Sequence, residues 1–296
     1  MRLEYINPKE FTSNHHVNGF KSFLTEIIHG SNSLNCFYSP KKDRRNIFSI
    51  SKFEQGLDKY SWAGQSFEDT QQTIIGLTIN IREAIAANNE LSVLQNALSI
   101  LEWGQVYRGC IDWLVMHSHN NELAGSIHQA SLILDGSLIK NADEFRQLFD
   151  RDCKYRCNSG TTKIFALYSK KSVIYDGRVA CAIGMLVHDY LVKNGIGHLP
   201  PELNFLMDSS QRNTSKYTSK KYQFASKSDS QNSLFNQALS SLKLNLILQD
   251  IANSSGDNLL GFTSVEKQLR AIEAILFMIG YEVNLEHYKN TGYFLI

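Results

Sequence analysis

Apolar residues recur every three to four positions over most of the chain, which is the spacing of one face of an α-helix. The clearest case is the segment 90–103, where Leu91, Leu94, Leu98 and Leu101 share a face and Gly104 follows at the position of a C-terminal cap. The same periodicity predicts further helices over residues 20–28, 110–117, 122–134, 142–151, 161–168, 176–193 and 234–251.

A last helix is predicted near the C-terminus, where Thr263-Ser264-Val265-Glu266 has the spacing of a capping box. Gly280 marks its end. Its predicted buried face consists of Leu269, Ile272, Ile275, Leu276 and Ile279.

The pattern also divides the chain into four parts. Residues 1–90 are mixed, with a strand expected at 47–53, and form an irregular N-terminal region packed on the core. Residues 91–206 form the helical core. Residues 207–233 are rich in Ser, Lys, Asn and Gln and read as a basic loop or arm. Residues 234–296 add helices that complete the core, so the expected fold class is mainly α.

Composition narrows the class of protein. No apolar run approaches eighteen residues, which argues against a membrane span. The first residues lack the apolar core of a secretory signal. Five cysteines are scattered along the chain, an odd number that favours reduced thiols inside a cell. We therefore expect a cytoplasmic protein without a membrane partner.

The net charge of +1 gives no overall attraction to nucleic acid, but the basic residues are unevenly distributed. Residues 151–171 contain six basic side chains against the single acid Asp152, and residues 209–227 contain five and no acid. Such concentrations suit a surface that contacts phosphates. A solvated face would have the same composition, and both interpretations stay open.

Two predicted helices flank the turn Asn158-Ser159-Gly160. In a helix–hairpin–helix, such a turn directs backbone amides outward, and the following helix adds the positive end of its dipole, so that together they bind a DNA phosphate. The candidate phosphate-binding residues are Asn158, Ser159, Gly160, Thr161 and Thr162. A plain αα-hairpin is the alternative.

Lys163 follows this turn, and Asp176 and Arg178 follow the apolar run 173–175. This sequence resembles the active-site stretch of the helix–hairpin–helix DNA glycosylases, most of all the 8-oxoguanine glycosylase branch and its bacterial relatives. The resemblance implies a glycosylase-like helical fold and cleavage of the N-glycosidic bond of a flipped, modified base in duplex DNA, leaving an abasic site. Relatives of this kind remove glucosylated hydroxymethylcytosine, which extends the implied role to defence against phage with modified DNA.

The resemblance also implies roles for the three charged residues. Asp176 would stabilise an oxocarbenium-like sugar, or would be only the cap of a helix. Lys163 would form a Schiff base with the sugar, which adds lyase activity, or would contact a phosphate. Arg178 would fix Asp176 or a phosphate, or would make a surface ion pair.

Further candidates are aromatic or basic. Trp103 and Tyr175 are candidates for the base pocket, and Lys220, Lys221 and Tyr222 for a DNA-contacting arm. The sequence has no metal-ligand spacing and no fingerprint of a small-molecule cofactor. Two other functions remain open: a catalytically silent helix–hairpin–helix DNA-binding protein, and a helical interaction protein.

Overall fold

The computed structural model describes residues 7–34, 36–38, 46–106, 109–149, 154–207, 222–226, 233–256, 258–281 and 294–295. Over these described residues the structure is mainly helical, which confirms the predicted class. The α-helices within the described ranges are α1 (Pro8–Ser13), α2 (His15–Ile28), α3 (Gln55–Asp58), α4 (Phe67–Ala86), α5 (Glu90–Trp103), α6 (Ile111–His119), α7 (Leu123–Leu134), α8 (Ala142–Phe149), α9 (Thr161–Tyr168), α10 (Gly177–Lys193), α11 (Ser233–Ser254) and α12 (Val265–Ile279).

The strands are short and pair in two small sheets. They are β1 (Cys36–Tyr38), β2 (Asn46–Ile50), β3 (Leu206–Met207), β4 (Ala225–Ser226) and β5 (Phe294–Leu295). β2 pairs antiparallel with β1 and parallel with β5, and β3 pairs parallel with β4. The strand expected at 47–53 is therefore present as β2, which begins one residue earlier and ends three residues earlier than expected.

Helix α5 has the predicted ends, but its buried face differs from the predicted one. Leu91 is 65% exposed and Leu98 is 37% exposed. The predicted Leu101 is buried and Leu94 packs partly buried against the core, but the other buried positions are Val93, Ala97 and Ile100. Leucines occur on both sides of this helix, so their spacing alone identified only half of its buried face.

The first ninety residues contain more helix than predicted. Helix α4 is 20 residues long and begins after Ser66, whose hydroxyl accepts a hydrogen bond from Asp69 N at 3.2 Å. Thr70 and Thr78 occupy two of its buried positions. Because these polar residues interrupt the apolar stripe, the periodicity of the sequence did not reveal the helix.

Helices α9 and α10 lie at the centre of the molecule. Every residue from Thr161 to Leu167 is buried. Helix α9 packs against α4, α5 and α7, while α10 packs against α2 and α12. The connection between α9 and α10 therefore passes through the interior, where it delivers Asp176.

The ends of α12 follow the prediction closely. Its cap is Ser264, one residue after the expected Thr263, and its hydroxyl accepts from Lys267 N at 3.3 Å. Gly280 ends the helix as expected. Most of the predicted basic arm, including Lys220 and Lys221, lies outside the described residues. None of the described helices is long and apolar enough to cross a membrane.

Candidate active site

Asp176 is the N-cap of α10. Its Oδ1 atom accepts hydrogen bonds from Arg178 N at 2.9 Å and from Val179 N at 3.1 Å. These two bonds satisfy amides that have no partner within the helix, and the helix dipole favours a negative charge at this end. The predicted cap is thus present, and it leaves the second oxygen, Oδ2, available for another contact.

That contact is with Lys163. The distance from Lys163 Nζ to Asp176 Oδ2 is 3.9 Å, and Nζ also donates to Ser159 O at 3.0 Å. Lys163 is only 4% exposed. A side chain so buried does not reach a phosphate on the surface, so of its two predicted roles the geometry favours chemistry within the pocket.

Burial changes the acidity of Lys163. Removal from water lowers the pKa of its ammonium group, while the carboxylates of Asp176 and Glu273 oppose that shift. Arg178 acts in the same direction as burial. A lowered pKa increases the fraction of neutral amine, which is the form that attacks an electrophilic carbon.

Aromatic rings surround the two charged groups. A pocket of 30 Å³, room for little more than a water molecule, opens beside them. It is lined by Tyr60, Trp62, Trp103, Lys163, Ile174, Asp176, Val179, Glu273, Ala274 and Phe277. Four of these ten residues are aromatic, so the pocket presents flat apolar walls next to a lysine and two carboxylates.

Trp62 enters this wall from a tight surface turn. Trp62 and Gln65 exchange backbone hydrogen bonds of 3.1 and 2.9 Å, and Ala63 and Gly64 between them both have positive φ. The Trp62 indole donates to Trp103 O at 3.1 Å. Residues 63–66 are exposed. The turn therefore carries a ring into the pocket while its own backbone faces the solvent.

The predicted phosphate-binding turn is arranged differently from the expectation. Asn158 Oδ1 accepts from Gly160 N at 2.9 Å and from Thr161 N at 3.1 Å. Thr162 N donates to Asn158 O at 2.9 Å. These amides point at Asn158 rather than outward. Phosphate binding by this turn stays a prediction, and it requires those bonds to be exchanged.

Gly160 serves close packing rather than an unusual backbone conformation. Its φ of −82° is accessible to any residue. A Cβ atom at this position would lie 2.4 Å from Cys110 Sγ. The glycine therefore lets the turn approach the start of α6.

Arg178 lies in the first turn of α10, among three aromatic rings. Its Cζ atom is 3.9 Å from the centre of the Tyr281 ring, 4.1 Å from that of Phe277 and 5.7 Å from that of Trp62. Cation–π contacts of this kind hold the guanidinium group against the pocket wall. Its role as a phosphate ligand stays a prediction.

The remaining sequence candidates divide into pocket and core. Trp103 lines the pocket, as predicted. Tyr175 is fully buried and donates to Leu206 O at 2.7 Å, and Tyr222 is buried and donates to Ile196 O at 2.6 Å. Neither tyrosine lines the pocket, so both are core residues in this structure.

Three further residues, Glu273, Tyr60 and Phe277, line the pocket and were not predicted from the sequence. Glu273 had a recognisable signal, since it lies four residues after Leu269 and three before Leu276, within the predicted apolar face of α12. A single carboxylate in such a stripe is either paired or functional. Tyr60 and Phe277 had no signal that distinguishes them from ordinary core residues.

A larger groove of 390 Å³ lies between α4 and the first turns of α12. Two arginines line this groove. Arg82 donates to Tyr168 O and to Glu266 Oε1, both at 2.8 Å. Arg270, also in the groove, donates to Ser172 O. Because these cations are bound by the protein itself, the smaller pocket is the better candidate for an active site. The described residues include no cluster of three or more side chains able to hold a metal ion.

No family model, curated protein or solved structure matches the chain significantly. The function must therefore be argued from the geometry of the site.

Proposed function

We propose that this protein is a DNA glycosylase that releases a modified base and leaves an abasic site. The observation that carries the proposal is the pair of the buried Lys163 Nζ and the half-buried Asp176 Oδ2, 3.9 Å apart in an aromatic-lined pocket. The helical order around the pair, with the lysine in one helix and the aspartate capping the next, supports it. A helix–hairpin–helix glycosylase fold is part of the same proposal.

The two residues suit the two halves of the reaction. As the bond between the sugar C1′ and the base breaks, the base leaves with the electron pair and takes up a proton, and positive charge develops on the sugar. The carboxylate of Asp176 stabilises that charge. Either water or the neutral amine of Lys163 then bonds to C1′ and gives up a proton, which balances the proton taken up by the base. In the aminal that the amine forms, the C1′–O4′ bond breaks and a proton moves from nitrogen to O4′, which gives an imine that permits strand cleavage.

Entry of a base requires the pocket to enlarge. Pockets that hold organic ligands have volumes of roughly 300–1,000 Å³, whereas this one measures 30 Å³. The turn 62–65 is the wall best able to move, because its backbone is exposed and Trp62 is tied to α5 by one hydrogen bond. A flipped base would then stack on the remaining rings.

The test is release of bases from a panel of duplex DNAs with different modifications, including glucosylated hydroxymethylcytosine. Asp176→Asn should lower base release by about 10²–10³-fold, because the charge facing the sugar is lost. Asparagine caps helices as well as aspartate does, so the free energy of unfolding should change by less than about 0.5 kcal/mol.

Asp189→Asn is the matched control, since Asp189 is an exposed residue of the same helix and lies away from the pocket. It should leave base release unchanged. Full activity of Asp176→Asn would contradict the proposed mechanism. Strongly salt-dependent DNA binding without release of any base would instead favour the catalytically silent DNA-binding protein.

A further inference from the structure

The backbone between α9 and α10 is extended and buried. Residues Ser172, Val173, Ile174 and Tyr175 are each at most 5% exposed, and none belongs to a helix or strand. Buried backbone groups outside regular structure need hydrogen-bond partners from elsewhere. Asp176 directly follows this segment, so whatever holds the segment also determines where the carboxylate lies.

Polar side chains of neighbouring helices supply those partners. Asn245 Oδ1 of α11 accepts from Val173 N at 2.9 Å. Gln237 Nε2 of the same helix and Thr162 Oγ1 of α9 donate to Tyr175 O. Together with Arg270 and Glu273 of α12, these side chains bind the segment from three helices.

Glu273 differs from the other members of this set. Its Oε2 atom accepts from Ile174 N at 2.6 Å and lies 2.7 Å from Arg270 Nη1. It also lines the pocket with Lys163 and Asp176, whereas Gln237 and Asn245 of α11 do not. Burial raises the pKa of its carboxyl group, while Arg270 and the Ile174 amide oppose that change.

We propose that Glu273 is a positioning residue, which fixes the backbone of Ile174 and thereby holds Asp176 at its distance from Lys163. As a statement about catalysis this rests on the function proposed above. Ile174 is only two residues before Asp176, so release of its amide would let the carboxylate shift. A misplacement of about 1 Å at a reacting group can reduce a rate by about 100-fold.

The experiment compares Glu273→Leu and Glu273→Gln with the wild-type protein. The probe is duplex DNA with an abasic site. Its aldehyde forms an imine with the lysine amine without prior release of a base, and cyanoborohydride traps that imine as a covalent link between DNA and protein. Glu273→Leu should reduce trapping by about tenfold or more, since Ile174 N loses its acceptor. In Glu273→Gln the side-chain amide oxygen can still accept the hydrogen bond from Ile174 N, so trapping should fall by less than about threefold.

The matched control is Gln268→Leu. Gln268 is another buried polar residue of α12, and it donates to Phe262 O at 2.9 Å and to Gly256 O at 3.3 Å, away from the pocket. The control should lose a similar amount of stability and keep its trapping. Equal losses in Glu273→Leu and Gln268→Leu would overturn the proposal, and so would a loss in Glu273→Gln as large as that in Glu273→Leu.

Backbone amide signals in nuclear magnetic resonance give a readout without DNA. In Glu273→Leu the signals of Arg178 and Val179, which report the Asp176 cap, should move. If that variant does not fold, Glu273→Gln should move the Ile174 signal, because a neutral acceptor replaces a charged one, and leave the cap signals in place. Unchanged cap signals in a folded Glu273→Leu, or an unchanged Ile174 signal in Glu273→Gln, would overturn the proposal.

The two readouts separate the failure of this inference from that of the function. If wild-type protein traps no abasic DNA, imine chemistry at Lys163 is wrong, yet the amide signals still decide whether Glu273 positions Asp176. If wild-type protein traps DNA but the Arg178 and Val179 signals do not change in Glu273→Leu, the proposed function is kept and the positioning role of Glu273 is wrong.

Discussion

Asp176 divides its two carboxylate oxygens between the backbone of α10 and the pocket. Oδ1 accepts the two cap bonds, and Oδ2 faces Lys163. The two interpretations of this residue that the sequence left open, a helix cap and a catalytic carboxylate, are therefore compatible. The cap fixes the side chain, and a fixed carboxylate needs little reorganisation as charge develops nearby.

Lys243 is a second buried lysine, and it makes stability depend on pH. Its Nζ donates to Pro201 O at 3.0 Å and to Asn204 O at 3.3 Å, and burial lowers its pKa to about 8. The unfolded chain keeps the ordinary pKa of about 10.4. Between these values the unfolded state binds more protons than the folded state, so the free energy of unfolding rises with pH.

We therefore expect the wild-type protein to gain up to about 3 kcal/mol, from this residue, between pH 7 and pH 10.5. Lys243→Met should lack that increment, because methionine does not titrate. The measurement is urea unfolding at a series of pH values, with Lys267→Met, a change on the exposed side of α12, as the control. The same slope in Lys243→Met and wild type would show that Lys243 titrates normally.

At the scale of elements, α5 and α9 meet where Gly104 faces the stem of Lys163. A Cβ atom on Gly104 would lie 2.4 Å from Lys163 Cδ and 2.8 Å from Cε. The backbone of Gly104 has φ −72° and ψ −6°, which alanine adopts without strain. The close approach of the Lys163 side chain, and not the backbone conformation at the end of the helix, therefore requires glycine at this position.

Gly104→Ala should displace Lys163 and reduce trapping of abasic DNA by about tenfold or more. Its effect on stability should be small, because the restricted unfolded chain offsets part of the crowding. Gly76→Ala is the control: no atom lies within 4 Å of its added Cβ, and it should stabilise α4 by roughly 0.5–1 kcal/mol without affecting trapping. Normal trapping by Gly104→Ala would show that the lysine adapts.

At the scale of the whole molecule, α12 closes against the start of α10 through Gly280. A Cβ atom there would lie 2.1 Å from Arg178 O, a backbone atom that cannot rotate away. This contact brings Glu273 and Phe277 of α12 beside Asp176. Residues about a hundred positions apart in sequence therefore form one pocket.

Gly280→Ala should lower the free energy of unfolding by about 1–3 kcal/mol, because the two helices must separate to admit the methyl group. Urea denaturation measures the change. The control is Gly125→Ala in α7, where an added Cβ meets no atom within 4 Å. If Gly280→Ala were as stable as wild type, α12 would have room for a methyl group beside Arg178 O, which would contradict this close approach.

Most helices, and the positions of Lys163 and Asp176 at the starts of two of them, could be predicted from local sequence patterns. The ends of α5 and α9, the cap at Asp176 and the stop at Gly280 follow from local rules of periodicity and capping, which act over a few residues. Local rules did not reveal α4, whose stripe includes buried threonines, and of the predicted face of α5 only Leu94 and Leu101 pack against the core.

The surroundings of Lys163 and Asp176 depend on how the helices pack together. The pocket joins Tyr60 and Trp62, Trp103 of α5, and Glu273 and Phe277 of α12, and no local pattern links such distant positions. The physical reason is that burial, which sets the charge state of a lysine and the partners of an amide, is a property of the assembled core.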